Sequence, residues 1–182
     1  MANLQDLPLR DDLKGKEPYG APQLSVPVSL NVNENTHRIP EEVAVDVIGR
    51  LAAAVLDINR YPDREFLSLR QALASYLNSE VHSGADLTTD NIWAANGSNE
   101  VLQHIFQAFG GPGRSAMGFE PTYSMYPLLA KGMGTEYVAV GRGDRYELTP
   151  QIIRDAILAT KPNIVLLCSP NNPTGTPLSL DC

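Results

Sequence analysis

The sequence predicts an α/β fold with a mainly parallel sheet, because short apolar runs alternate with helical patterns along most of its length. The clearest apolar run, Ile-Val-Leu-Leu-Cys at 164–168, is followed at once by the polar loop Ser-Pro-Asn-Asn-Pro-Thr-Gly at 169–175. A short apolar run between turn residues is typical of a strand buried on both faces. Open α/β sheets bind ligands in the loops at the carboxyl ends of such strands. We therefore look for function in the loops.

The first 40 residues predict an irregular arm, and two helices follow it. The arm is interrupted by Pro8, Pro18, Pro22, Pro27 and Pro40. The first helix begins near Pro40, because proline suits a first helical turn and the acidic residues after it suit the positive end of the helix dipole. Its apolar residues recur at every fourth position and predict one buried stripe: Val43, Val47, Leu51 and Val55. A second helix over 65–79 is predicted to pack through Phe66, Leu69, Leu73, Tyr76 and Leu77.

The rest of the chain alternates strands with helices. Strands are predicted at 92–95, 115–119, 136–140 and 163–168. Helices are predicted after Ser98 as far as the glycine run at 110–113, over 122–131, and from Thr149. Thr149 is a suitable N-cap because Pro150 follows it at the first helical position.

Composition narrows the class of partner. The 182 residues are 43% hydrophobic and 19% charged, which is typical of a globular protein with one core. The net charge of −7 predicts no nucleic-acid partner, since proteins that bind nucleic acid usually carry a basic face. No apolar run reaches the ~20 residues of a membrane helix, and residues 1–16 lack the pattern of a signal peptide. Cys168 and Cys182 form no disulfide or metal pattern, so we expect a cytoplasmic protein without a metal.

The loop at 97–100 predicts a place for a phosphate group. Ser98 follows the strand predicted at 92–95 and is expected to cap the next helix. The N–H groups of Ser98, Asn99 and Glu100 would then begin that helix unpaired, which suits an anion. The alternative is a helix cap with no ligand, because serine caps many helices.

Two further loops offer an aromatic ring and an amide. Tyr123 follows the strand predicted at 115–119 and could stack on a flat cofactor. Asn172 carries an amide that donates and accepts, beside Pro173, which favours a cis peptide in a tight turn. The alternatives are a core tyrosine and a surface turn. Together the three loops describe a site for a phosphorylated aromatic cofactor such as pyridoxal phosphate. A nucleotide fits the same description, but the sequence has no Walker lysine and no Gly-x-Gly-x-x-Gly run.

Five short motifs in one order identify a resemblance. They are Leu-Asn-Val-Asn-Glu-Asn at 30–35, Asn-Arg-Tyr-Pro-Asp at 59–63, Asn-Gly-Ser-Asn-Glu at 96–100, Pro-Thr-Tyr-Ser-Met-Tyr at 121–126 and Ser-Pro-Asn-Asn-Pro-Thr-Gly at 169–175. The sequence therefore resembles the fold-type I pyridoxal-phosphate aminotransferases, most closely the histidinol-phosphate aminotransferases. The resemblance implies an N-terminal arm with part of the small domain over 1–40. It implies an incomplete cofactor-binding major domain, a three-layer α/β structure, over 41–182.

The resemblance implies roles for particular residues. Ser98 and the Asn99 backbone would hold the cofactor phosphate, Tyr123 would stack on the pyridine ring, and Asn172 would donate to its 3′ oxygen. Tyr61 would reach across a homodimer interface to the cofactor phosphate of the partner.

Substrate contacts are implied for Tyr19 in the arm, for Asn33 and for the Asn99 side chain. The implied reaction moves an amino group between histidinol phosphate and 2-oxoglutarate, in histidine biosynthesis. In place of the family's proline after 35, this sequence has Thr36, so the loop around Asn33 is expected to differ.

The resemblance places several required residues beyond position 182, among them the Schiff-base lysine and an aspartate that pairs with the pyridine nitrogen. None of Lys14, Lys16, Lys131 and Lys161 follows a serine as that lysine does in the family. We therefore expect a truncated chain with no transaminase activity of its own. Strands from the absent part are also implied between 92–95 and the other strands.

Two alternatives remain at this point. The chain could belong to another class I or II aminotransferase, or to a related decarboxylase, that shares these loops. It could also be a remnant or interaction module that keeps dimer-forming elements and has no chemistry.

Overall fold

The computed structural model describes residues 6–16, 20, 22–29, 31–80 and 86–182. The chain divides into two compact units, Met1–Pro62 and Asp63–Cys182. The first unit contains one α-helix among its described residues, α1, Glu41–Val55. The two compact units are thus divided after Pro62, beyond α1. The predicted division into an arm with part of the small domain over 1–40 and a major domain over 41–182 stays a prediction.

The second unit is an α/β structure. Its elements in chain order are α2 (Leu67–Glu80), α3 (Ser98–Phe109), β1 (Ser115–Glu120), α4 (Met125–Gly132), β2 (Glu136–Gly141), α5 (Pro150–Thr160) and β3 (Ile164–Leu166). The strands form a parallel sheet in the order β2-β1-β3, with Ser115 opposite Glu136 and Ala116 opposite Ile164. The carboxyl ends of the three strands therefore lie at one edge. The α/β class and the parallel sheet are confirmed.

Two hydrophobic clusters form the core of this unit. β1 supplies both, because successive side chains of a strand point to opposite faces. Ala116 packs with Phe106, Tyr126, Ala130, Ile164 and Leu166, whereas Met117 and Phe119 pack with Leu148 and Ile153. α3 and α4 thus contribute to one cluster and α5 to the other. β1 is the buried centre of the sheet.

The helix beginning at Thr149 is confirmed in detail. The Thr149 hydroxyl accepts a hydrogen bond from the Ile152 N–H (3.2 Å), and Pro150 is the first helical residue of α5. α2 begins at Leu67, two residues later than predicted, because the Asp63 carboxylate accepts from the Glu65 and Leu67 N–H groups and caps the turn before it.

Three predictions about burial and pairing are wrong. Residues 92–95 form no strand, although Ile92 has extended dihedrals (φ −113°, ψ 129°), because no described strand lies beside them to pair with. β3 is not buried on both faces, since Val165 is 36% exposed, and Leu167, directly after the strand, is 41% exposed. The apolar stripes of α1 and α2 are also partly uncovered: Val43, Val47, Leu51, Val55, Leu69 and Tyr76 are exposed.

Candidate functional site

The loops that follow β1 and β3 meet at the carboxyl edge of the sheet. Their link is the side chain of Asn171, which is only 2% exposed. Its Oδ1 accepts from the Thr122 hydroxyl (3.0 Å) and its Nδ2 donates to the Pro121 carbonyl (3.0 Å). Nδ2 also donates to the Thr174 hydroxyl at 2.8 Å, inside its own loop. The amide thus joins the residues directly before Tyr123 to the residue directly before Asn172.

The guanidinium of Arg142, just after β2, holds the third strand end to the other two. It donates to the Phe119 carbonyl (2.8 Å), the Tyr146 carbonyl (3.1 Å) and Asn171 Oδ1 (2.9 Å). Burial lowers the pKa of Arg142, but the guanidinium remains a cation at neutral pH because its ordinary pKa lies far above 7. Arg142 therefore places a fixed positive charge at this edge of the sheet.

Tyr123 lies in the loop between β1 and α4 and is joined to the start of α3. Its hydroxyl donates to Asn99 Oδ1 at 3.0 Å. Its ring contacts the ring of Tyr126 edge to face, with centroids 5.5 Å apart. Tyr126 is buried, and this burial, with smaller contributions from Cys168 and Tyr123, raises the pKa of Tyr126 to about 12. Tyr123 itself is half-buried, so Tyr126 is the core tyrosine of this pair.

The first turn of α3 differs from the prediction at one residue. Gly97, not Ser98, is the N-cap, with φ +80°, and Ser98 is the first helical residue. Glycine adopts this left-handed conformation without the steric cost that a side chain brings. Within the described residues, the N–H groups of Ser98, Asn99 and Glu100 donate to no other group. The expected row of unpaired donors is present at the start of the helix.

Asn172 follows Asn171 in the loop after β3. It is half-buried, and its amide makes no hydrogen bond with another residue of the described chain. The peptide bond between Asn172 and Pro173 is cis, as the sequence predicted. The Asn172 side chain is thus the amide of this loop that remains available, whereas that of Asn171 is fully used.

The other predicted site residues belong to the first compact unit. Tyr61 is fully exposed and Asn33 is exposed. Tyr19 lies outside the described residues. Their assignments stay predictions. Among the predicted residues of the second unit, direct contact is established for Asn99 and Tyr123.

Sequence reasoning missed Asn171, Arg142 and the pair formed by Tyr137 and Glu120. The Tyr137 hydroxyl donates to Glu120 Oε1 (2.8 Å), and burial, reinforced by this carboxylate, raises the pKa of Tyr137. Glu120 Oε2 accepts from the Thr122 N–H at 3.0 Å and so fixes the start of the loop that carries Tyr123. Their positions in the sequence could have indicated them. Arg142 and Asn171 lie two and three residues after the strands predicted at 136–140 and 163–168.

The described residues contain neither a cluster of metal-binding side chains nor a helix suited to span a membrane. No group of three or more His, Cys, Asp or Glu side chains there is placed to hold a metal ion. None of the helices in the described part of the chain has the length and apolar character needed to cross a membrane.

Comparison with known proteins agrees with this architecture. A family model for aminotransferase class I and II matches residues 25–181. The chain belongs to this family. The resemblance given by the five motifs is thereby confirmed, and the incomplete sheet is an incomplete aminotransferase fold.

Sequence relatives of this aminotransferase chain share one description. The chain is 61% identical over 181 residues to a histidinol-phosphate aminotransferase of Paenarthrobacter aurescens, and the alignment covers 100% of the chain and 47% of that protein. It is 51% identical to the histidinol-phosphate aminotransferase of Mycobacterium avium, covering 97% of the chain and 44% of that protein. The chain therefore spans about half the length of the curated relatives it matches, and it corresponds to their N-terminal part.

Solved structures give the same fold. A putative histidinol-phosphate aminotransferase from Erwinia carotovora atroseptica aligns with a TM-score of 0.70 at 27% identity, over 90% of this chain and 44% of that chain. Aspartate aminotransferase from Thermus thermophilus with maleate aligns with a TM-score of 0.70 at 25% identity, over 84% and 39%. In both cases the aminotransferase chain matches less than half of the solved structure.

Proposed function

We propose that this chain is the N-terminal part of a pyridoxal-phosphate-dependent aminotransferase that acts on histidinol phosphate and 2-oxoglutarate. The observation that carries the substrate is the 61% identity to the histidinol-phosphate aminotransferase of Paenarthrobacter aurescens, maintained along the whole chain. The cofactor is supported by the family and by the loops at the carboxyl edge of the sheet. A protein of this activity is expected in the cytoplasm.

The residues present fit pyridoxal phosphate. The turn at Gly97 leaves open space, since an added Cβ there meets no atom within 4 Å. The unpaired N–H groups of Ser98 and Asn99, with the positive end of the α3 dipole, suit a phosphate in that space. The Ser98 hydroxyl is exposed and adds a further donor. The residues proposed for the phosphate, the ring and its 3′ oxygen (Ser98, Tyr123 and Asn172) therefore belong to one compact unit.

The chain's own residues orient the cofactor in this proposal. Tyr123 stacks its ring on the pyridine, and the hydrogen bond from its hydroxyl to Asn99 keeps the ring in one rotamer. Asn172 donates its amide N–H to the 3′ oxygen of the ring. When bound, pyridoxal phosphate supplies the electron sink for amino-group chemistry, whereas the protein supplies orientation and charge.

The described lysines of the second compact unit do not lie at this site. Lys131 is in the last turn of α4 and Lys161 follows the last residue of α5, and both are exposed. In a parallel α/β sheet these helix ends lead into the amino ends of the next strands, opposite the loops of the site. The reactive lysine is therefore expected from the part of the longer protein that this chain does not match. We expect no amino transfer by the chain on its own.

Substrate and partner contacts extend the proposal to the first unit. Tyr61 is assigned to the cofactor phosphate of the partner in a homodimer, and its full exposure leaves it accessible to a second copy. Tyr19 and Asn33 are assigned to the substrate pocket, together with the Asn99 side chain. The amino acceptor is a 2-oxo acid.

A hybrid enzyme tests the substrate. Residues 1–182 replace the matching N-terminal part of the Paenarthrobacter aurescens enzyme, and glutamate formation from histidinol phosphate and 2-oxoglutarate is measured. We expect transfer, and we expect Asn172→Ala to lower kcat about tenfold, the effect of one lost hydrogen bond of roughly 1.4 kcal/mol. Asn78→Ala is the matched control, because among the described residues the Asn78 side chain bonds only the backbone of Leu87.

Two results would contradict the proposal. A folded hybrid that binds pyridoxal phosphate but prefers an aromatic amino acid over histidinol phosphate would overturn the substrate. A hybrid in which Asn172→Ala and Asn78→Ala reduce activity equally would overturn the role of Asn172.

A further inference from the structure

The side chain of Asn171 is the most completely bonded polar group at the candidate site. A primary amide offers two N–H donors and one oxygen with two lone pairs. In Asn171 all of these are used: Thr122 and Arg142 donate to Oδ1, and Pro121 and Thr174 accept from Nδ2. The residue is also almost completely buried. A buried amide with every bond made has one stable orientation, because any rotation leaves donors or acceptors unpaired.

The partners of Asn171 belong to three different strand ends. Pro121 and Thr122 precede Tyr123 in the loop after β1, and Thr174 lies beyond Asn172 in the loop after β3. Arg142 follows β2 and brings the Phe119 carbonyl at the end of β1 into the same set of bonds. Asn171 therefore fixes the distance between the loop that carries Tyr123 and the loop that carries Asn172.

We propose that Asn171, held by Arg142, is a positioning residue that sets the placement of Tyr123 against Asn172. This inference rests on the proposed function, in which these two side chains contact opposite features of one cofactor ring. Neither Asn171 nor Arg142 needs to touch the cofactor. Their part is to hold a stacking ring and an amide donor at one fixed separation, and errors of about 1 Å in such placement are costly.

Asn171→Asp separates positioning from simple stability. The aspartate has nearly the same shape and still accepts from Thr122 and Arg142, but it has no N–H to donate to the Pro121 carbonyl. The Thr174 hydroxyl, which accepts from Asn171, can turn and donate to the carboxylate, so the bond to Pro121 is the one that is lost. The matched control is Asn78→Asp, which makes the same chemical change. Asn78 Nδ2 donates to the Leu87 carbonyl (2.8 Å), in the same compact unit and with no described bond to the site loops.

The full chain is studied first without cofactor. We expect Asn171→Asp to shift the backbone amide resonances of Tyr123 and Asn172 and to speed their hydrogen exchange, and Asn78→Asp to change neither. Pyridoxal 5′-phosphate is then titrated. We expect Asn171→Asp to raise Kd about tenfold, as one lost hydrogen bond allows, and the control to stay within about twofold of the unmodified chain.

Distinct results would separate the two claims. Unchanged Tyr123 and Asn172 signals in Asn171→Asp, or equal losses of affinity in both variants, would overturn the positioning role. No saturable binding of pyridoxal 5′-phosphate by the unmodified chain would contradict the proposed function, and the resonances alone would then decide the role of Asn171.

If Asn171→Asp does not fold, Thr122→Val replaces it, because it removes one donor to Oδ1 at similar volume. The expected rise in Kd is then about threefold, and unmoved Tyr123 and Asn172 signals would overturn the role.

Discussion

Gly118 at the centre of β1 provides a sharp test of how the sheet supports the site. It is buried, and its register partners are Ala139 and Leu166. A Cβ built on Gly118 would overlap the Tyr137 hydroxyl oxygen and lie 2.9 Å from Cζ of that ring. The absent side chain is what lets Tyr137 cross the strand and donate to Glu120. Gly118→Ala therefore forces the tyrosine ring out of its position.

The cost follows from three contributions. Overpacking a buried site costs about 1–3 kcal/mol, and loss of the Tyr137 hydrogen bond adds about 1 kcal/mol. Alanine also lowers the conformational entropy of the unfolded chain, which raises the free energy of unfolding by about 0.4–1 kcal/mol. We expect Gly118→Ala to lower the free energy of unfolding by about 2 kcal/mol, measured by urea denaturation with circular dichroism.

A double-mutant cycle isolates the clash. Tyr137→Phe removes both the overlapping oxygen and the hydrogen bond, so Gly118→Ala should cost about 1 kcal/mol less in that background. The ring carbon remains close, so the cost should not vanish. Equal destabilisation in the two backgrounds, or no destabilisation by Gly118→Ala alone, would refute the reasoning.

Three further predictions concern single groups. Because the pKa of Tyr126 is raised from 10.0 to about 12, its phenol ionises first in the unfolded chain. The contribution of Tyr126 to the unfolding free energy should be constant well below pH 10 and fall as the pH rises toward 12, measured by urea denaturation as the difference between the chain and Tyr126→Phe, because Tyr137 also has a raised pKa; an unchanged difference would contradict the shift. Thr149→Ala removes the cap on the Ile152 N–H and should cost about 1 kcal/mol of stability, whereas Thr149→Ser should cost much less; equal melting temperatures would contradict the cap. Tyr123→Phe removes the bond to Asn99 but keeps the ring, so the affinity for pyridoxal 5′-phosphate should fall only about threefold, and complete loss of binding would contradict a stacking role.

The parts of the fold that the sequence predicted well are those decided by local chemistry. α5 is an example, since Thr149 and Pro150 set its start and Ile153 lies on its buried face. The strands over 115–119 and 136–140 were placed within one residue of β1 and β2, because short apolar runs between turn signals are typical of parallel strands.

The parts that could not be predicted depend on partners distant in the chain. An extended segment such as 92–95 becomes a strand only where another strand lies beside it. Apolar periodicity correctly identified α1 as a helix, but it could not show that Val47 and Leu51 remain about half exposed. Periodicity reports which face is apolar and not what covers that face.

Sequence reasoning proposed contact residues for the candidate site, and these stay predictions. It missed the residues whose hydrogen bonds join the loops that carry them. Ser98, Tyr123 and Asn172 were chosen for the chemistry of their side chains at strand ends. Asn171 lies in the same loop as Asn172, but asparagine is common in ordinary turns and nothing local marks its bonds. Its bonds reach residues 49 and 50 positions earlier, and Arg142 lies 29 positions away, so no local pattern indicates them. The shift of the N-cap from Ser98 to Gly97 depends on a backbone dihedral that residue type alone does not determine.

Equilibrium titration of the chain with pyridoxal 5′-phosphate, and in parallel with pyridoxal, tests the central claim most directly. If the loops at the sheet edge hold a phosphorylated pyridine, binding should be saturable at one site per chain and weaker for pyridoxal by about tenfold or more, since several donors to the phosphate are lost. Amide resonances of Ser98, Asn99, Tyr123 and Asn172 should move together during the titration. Equal affinity for the two ligands, or shifts confined to residues elsewhere in the chain, would contradict the account.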